Sequence, residues 1–282
     1  MPEPQSTGHL NPGDAEVAFD RFELGAGLEQ LVRHVWVARW NVPAGEVRPQ
    51  RVLGYPAFNA ILRPGEATLA GPDPRLFVEE LRGASWVVGV LFRPAAGRLL
   101  SATPPVELVG AAEPLPGAPL VGVTRAMGEA VEEAGAAASV ASAASARDVA
   151  GAAAPARRAL VLALRAWLLP IATDVGADGV LVNRVCAAAE NDPGILRAAE
   201  LAERFGLSTR SLERLVRARV GVTPKWLIEC RRLQQASTTL FAHPETELSA
   251  LAAELGYADY AHFSRRFAQF LGQTPRSARR TE

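Results

Sequence analysis

Two stretches near the C-terminus carry matched side chains suited to hydrogen bonding. One presents Arg210, Glu213, Arg214 and Arg217; the other presents Tyr260, Ser264, Arg265 and Gln269, with Ala261 among them. Each set falls at helical spacing and would form one face of a short helix. Neither set pairs a nucleophile with a base, so the chemistry offered is recognition, not bond making. An arginine fork bonds the edge of a guanine through two parallel hydrogen bonds, and hydroxyls meet bases or phosphate oxygens. Such a stripe near the start of a short helix suits the major groove of duplex DNA. For any single residue, an ordinary solvated charge is an equal alternative. The occurrence of two such helices favours the groove.

The elements that must position these faces are themselves duplicated. Leu201-Ala202 and Gly206 recur fifty residues on as Leu251-Ala252 and Gly256. After one inserted residue, Leu212, Arg214 and Val216 match Phe263, Arg265 and Phe267, and Gly221-Val-Thr223-Pro224 matches Gly272-Gln-Thr274-Pro275. In the first copy, Arg197 to Phe205 predicts a short helix ended by Gly206, since glycine takes left-handed backbone at little cost. Ser208 is the expected N-cap of a second helix reaching Val220, with Leu212, Leu215 and Val216 inward. In the second copy, Leu248 to Leu255 is the first helix, Gly256 the turn and Asp259 the cap. The second helix there ends at Leu271, with Phe263, Phe267 and Phe270 inward. Two short helices about a glycine turn make a helix-turn-helix. Thr223-Pro224 starts a long helix joining the copies, and Thr274-Pro275 starts a last short one.

Residues Gly179 to Arg280 resemble the DNA-binding domain of the AraC/XylS family of transcription regulators. The matching residues are Arg231-Arg232-Leu233 and Ala236, Leu251-Ala252, Gly256-Tyr257, Asp259, His262-Phe263, Arg265, Phe267, Gly272 and Thr274-Pro275. The resemblance implies two helix-turn-helix units bridged by a long helix and set in two successive major grooves of double-stranded DNA. It places Arg210, Glu213 and Arg214 at the reading positions of the first unit, with Ser208, Ser211 and Arg217 beside them. It places Tyr260, Ala261, Ser264 and Arg265 at those of the second. Arg265 would meet either a base or a phosphate. His262 is a packing or phosphate-contact residue rather than a metal ligand. The pattern departs from the family at Ala278, where an aromatic is usual. RNA polymerase is an implied partner if the protein activates transcription.

The first half has another texture. Val35 to Trp40 and Ser85 to Phe92 are short β-rich runs, bounded by breakers such as Pro43-Ala44-Gly45 and Arg63-Pro64-Gly65, and Pro104-Pro105 closes the region. The fold class expected is α+β: a β-rich N-terminal barrel or sandwich with following helices, cupin-like by its resemblance to N-terminal modules found in that family, then an all-α domain of two helix-turn-helix units. The expected divisions are a lead-in over 1–18, a sensor or dimerisation domain over 19–170, a linker over 171–178 and the DNA-binding domain over 179–282. A helix is expected from Leu120 to Glu133, with Val123, Met127 and Val131 on the face that packs on its own sheet or on a second copy in a homodimer. Another is expected from Ala156 to Leu169, stopped by Pro170. Residues 135–154 are nearly all Ala, Ser and Gly and read as either helix or linker. If this half holds a small-molecule effector, Trp36, Trp40, Tyr55, Phe58, Trp86 and Phe92 are candidate walls, and Arg39 or Arg51 would hold an anionic group. The competing reading makes these aromatics core.

Composition bounds the alternatives. The 282 residues suit about two domains. Lys+Arg and Asp+Glu both total 30, but from Gly179 onward there are 15 basic and 11 acidic residues, leaving 15 and 19 before it. A surplus of four suits a polyanion partner without requiring one. With 49% hydrophobic residues the chain is not disordered as a whole. No apolar run reaches the roughly 18 residues of a membrane span, and no signal peptide is read at the N-terminus. Cys186 and Cys230 lack partner motifs, which suits a reduced cytoplasmic protein. No metal set, cofactor loop or nucleophile elbow is read, so neither metal, cofactor nor catalysis is expected. The alternative function is a small-molecule-binding protein whose helical half makes protein contacts.

Overall fold

Alternating side chains build the N-terminal half. In the computed structural model, which describes residues 17–129 and 154–279, the strands are β1 (Val17–Phe22), β2 (Val32–Asn41), β3 (Arg48–Leu53), β4 (Asn59–Arg63), β5 (Glu66–Ala70), β6 (Leu76–Leu81), β7 (Ala84–Phe92) and β8 (Ala112–Pro114). Six form an antiparallel sheet in the order β1-β2-β7-β4-β5-β8, and β3 pairs with β6 in a separate ribbon. This gives an N-terminal antiparallel sheet followed by helices, the α+β arrangement.

β2 shows how the sheet divides its faces. Val35 and Val37 enter the main core, whereas His34, Trp36, Ala38 and Trp40 line a cavity on the other side. β7 is buried on both faces, so it reads as a continuous apolar run. β8 falls beyond the expected close at Pro104-Pro105. Its three residues end in proline and carry no alternation, yet they pair with β5 at the sheet edge.

Helices cover the core face of the sheet. A short turn at Pro94–Ala96 leads into α1 (Gly97–Leu100); α2 covers 120–129 and α3 runs Ala154–Ala172. Val123 and Met127 of α2 lie in the core with Leu160, Leu164 and Leu168 of α3, so α2 packs on its own sheet. Val131, the stretch 135–153 and the lead-in before Val17 fall outside the described residues. The expected stop at Pro170 is not observed. That proline lies inside the helix two residues before its end and costs it one i→i−4 bond, but Leu169, Ile171 and Ala172 are held against the core and the helix continues through it.

α4 (Ala177–Asn191) follows after residues 173–176, and the chain bends by 114° between α3 and α4. Then come α5 (Ala198–Arg204), α6 (Thr209–Val220), α7 (Pro224–Ala242), α8 (Leu248–Glu254), α9 (Tyr260–Leu271) and α10 (Pro275–Ala278). One hydrophobic cluster joins α4, α5 and α6 to the start of α7; a second joins the rest of α7 to α8, α9 and α10. Among the described residues, no single helix is long and apolar enough to cross a membrane. Both cysteines are buried free thiols.

The halves meet through a small polar set. Asn183, buried on α4, accepts from the Ala95 N–H at 2.9 Å and donates to the Gln30 carbonyl at 2.8 Å. Beside it Arg33 forms a two-bond pair with Glu190, both at 2.7 Å. Gly221, after α6, lies so close to the Pro105 carbonyl that an added Cβ would fall 2.3 Å from it. Asn183→Leu should therefore strand the buried Ala95 N–H, at roughly 1–3 kcal/mol, and remove a partner of the part-buried Gln30 carbonyl. Urea denaturation should show the lowered midpoint; an unchanged one would mean that Asn183 contributes nothing to the junction.

Candidate functional site

Each of the two outward-facing helices, α6 and α9, is placed by a local chain of capping and burial. The Ser208 hydroxyl accepts the Ser211 N–H at 3.1 Å, and the Asp259 carboxylate accepts that of His262 at 2.6 Å. Thr223 and Thr274 cap α7 and α10 in the same way. Gly206 and Gly256 take φ of +64° and +73°, so both turns use the left-handed backbone expected of them. Leu212, Val216 and Val220 anchor α6, while Phe263, Phe267, Phe270 and Leu271 anchor α9.

With those faces buried, the opposite faces are fixed. Arg210, Glu213, Arg214 and Arg217 are exposed on α6; Ala261, His262, Arg265 and Gln269 are exposed on α9. Ser211, Tyr260 and Ser264 are half-buried. Ser208 and Ser211 bond one another at the helix start, and Tyr260 leans on Phe263 with ring centroids 6.4 Å apart. His262 meets Tyr257 edge-on at 5.4 Å. Each expected residue of one unit thus lies on or beside a single face. The arrangement can present arginine forks and hydroxyls to a groove while the caps satisfy the helix starts.

For four charged residues the structural part was not read from the sequence. Arg231 donates to the carbonyls of Ala189, Asp192 and Ile195 in the first unit. Its neighbour Arg232 donates to the Leu255 carbonyl at 2.6 Å and stacks 4.2 Å from the Tyr257 ring in the second. Arg266 pairs with Glu229, which is buried on α7. That pairing raises the already high pKa of the Arg266 guanidinium. A lone acid within Leu227, Ile228, Cys230 and Leu233 was the available sign, because buried charges need partners. Adjacent arginines on α9 thus differ: Arg266 faces inward and Arg265 outward.

The second candidate site is the cavity of about 760 Å³ between the open sheet face and the β3–β6 ribbon. Trp36, Trp40 and Tyr55 line it as expected; Trp86 borders it but packs in the core cluster, with the parity of Val88 and Val90 on β7. Phe58 and Phe92 do not, being wholly buried in the core beneath the sheet. Arg39 has the parity of Val35 and Val37 on β2 and so leaves the cavity face, and Arg51 is also outside the lining. Arg21 and His34 line the cavity without having been chosen. Burial, with the charges of Arg21, Arg33 and Arg93, lowers the His34 pKa to about 4, so its imidazole is neutral near pH 7.

Comparison with known proteins gives each half a relative. Residues 22–114 match a domain of unknown function, DUF6597, and residues 201–281 match a family described as helix-turn-helix domain. Over 79 residues the chain is 35% identical to the HTH-type transcriptional activator RhaS of Escherichia fergusonii. The C-terminal domain is of the AraC type. This AraC-type domain is also 35% identical over 80 residues to RhaS of Yersinia pestis. The matched part spans 28% of this chain and 28–29% of those activators. The solved C-terminal domain of AraT, a response regulator from Geobacillus stearothermophilus, aligns at 22% identity and a TM-score of 0.34, covering 39% of this chain and 88% of that one. Fatty acid-bound ToxT of Vibrio cholerae aligns at 11% identity and a TM-score of 0.39, covering 93% and 94%.

Proposed function

We propose that the chain is a sequence-specific, DNA-binding transcriptional regulator, not an enzyme, and that a small molecule held in its N-terminal half controls it. The observation that carries this reading is the pair of capped helices, α6 and α9, each turning an arginine-bearing face outward from its own core. Two such faces on one domain suit successive major grooves of one duplex. The cavity supports the sensing part, being of the size and apolar character usual for a small-molecule site. In this reading the N-terminal half is a cupin-like container, residues 19–170 are the sensor, and the protein works in the cytoplasm with the DNA. Tyr55 borders both the cavity and the crevice where Arg33 meets Glu190, so a ligand there would touch the junction between the halves. Such a ligand regulates only by favouring one arrangement of the two.

The test is selection from a random duplex pool by the full chain at about 150 mM salt, where non-specific binding is weak. The expected product is a motif with two unlike halves about one helical turn apart, roughly 10.5 base pairs between centres. An unenriched pool would overturn the proposal and favour a small-molecule-binding protein whose helical half contacts proteins.

A further inference from the structure

One wall of the cavity is not part of the large sheet. Among the described residues β3 and β6 pair only with each other, so their ribbon can shift without breaking a ladder of the six-stranded sheet. Val52 and Phe77 of the ribbon and Gly54 at its end line the cavity, so an occupant presses on the ribbon directly. At that end the two strands are locked together. The Gly54 N–H donates to the Arg75 carbonyl at 2.8 Å, and an added Cβ on Gly54 would fall 2.1 Å from the Asp73 carbonyl oxygen. Whatever moves one strand here moves the other.

The same end is held from the C-terminal half. The side-chain amide of Gln234 on α7 donates to the Gly54 carbonyl at 2.7 Å, in a part-buried bond. Gln234 stands within one helical turn of Arg231 and Arg232, which fasten α7 to the first and second units. A displacement of Gln234 is therefore felt by both units together. The other ties across the junction differ in kind. Asn183 and Glu190 fasten α4 to Gln30, Arg33 and Ala95, none of which lines the cavity. The Gln234 bond joins the cavity wall itself to the helix that carries both units.

We propose that Gln234 is the positioning residue that couples the seat of the ribbon over the cavity to the seat of α7, so that cavity occupancy and DNA binding act on one another through this bond. This rests on reading the chain as a DNA-binding regulator with a sensing cavity, and it names the route between the two sites. Coupling between two binding sites is reciprocal, so a duplex acts on the ribbon as strongly as an occupant acts on DNA affinity. DNA alone therefore suffices as the probe.

The experiment is hydrogen exchange of the full chain, followed by mass spectrometry over the ribbon peptides, with and without saturating selected duplex. Duplex should slow exchange across 48–54 and 76–81 by about fivefold or more, the lower end of ordinary coupling between sites. Gln234→Leu, which cannot donate, should bind the duplex and lose the slowing. Gln234→Lys, which restores a donor, should recover it. A merely local role for Gln234 would alter ribbon exchange in the free protein but not its response to DNA. No slowing in the unsubstituted chain, or equal slowing in Gln234→Leu, would overturn this inference and leave the regulator standing. A chain that enriches no duplex loses both.

Discussion

Replacing Arg210 and Arg265 together by alanine is expected to weaken binding to the selected duplex by about 2–6 kcal/mol, with roughly 1–3 kcal/mol from each arginine–guanine contact. The two residues stand on separate helices anchored in separate cores, so their losses should add. Both are exposed, and removing them should leave the fold intact. Fluorescence anisotropy on the selected duplex and a scrambled one measures the effect. If the loss is the same on both, the arginines contact phosphates, and sequence reading must be sought in Glu213, Arg214, Tyr260 and Ser264.

A larger effect on stability is expected from Phe263→Ala. Its ring is wholly buried against Tyr257, Tyr260 and Phe267, and truncating such a residue costs about 3–5 kcal/mol. Because the second unit has its own cluster, the damage should be local. Footprinting should show the half-site read by α9 losing protection while that read by α6 keeps it. Equal loss at both would show that the two units stand or fall together.

What was legible in the sequence was local. A cap bond spans three residues, so Ser208, Thr223, Asp259 and Thr274 could be placed from spacing alone, as could the left-handed glycines. The exposed faces of α6 and α9 followed from knowing which side is apolar. What was not legible depended on distant partners. Phe58 and Phe92 look like pocket aromatics until the helices covering that face of the sheet are known, though the parity of Phe92 with Val88 and Val90 already pointed inward. Arg39 was open to the same period-two test. The Arg231 and Arg232 contacts involve carbonyls 23 to 42 residues away, which no spacing announces. β8 is too short to carry a pattern and exists because β5 offers it an edge.

The bridging helix α7 has a consequence for the DNA the protein would read. Its 19 residues span about 28 Å, with Arg231 tied to one unit, Arg232 to the other and Trp226 packed against both clusters. A strut fastened at both ends leaves little play between its loads. Inserting one base pair between the half-sites would shift one of them about 3.4 Å along the duplex and turn it by roughly 35°. Promoters under such a protein would drift by substitution, one letter at a time, while insertions and deletions in the spacer would be purged.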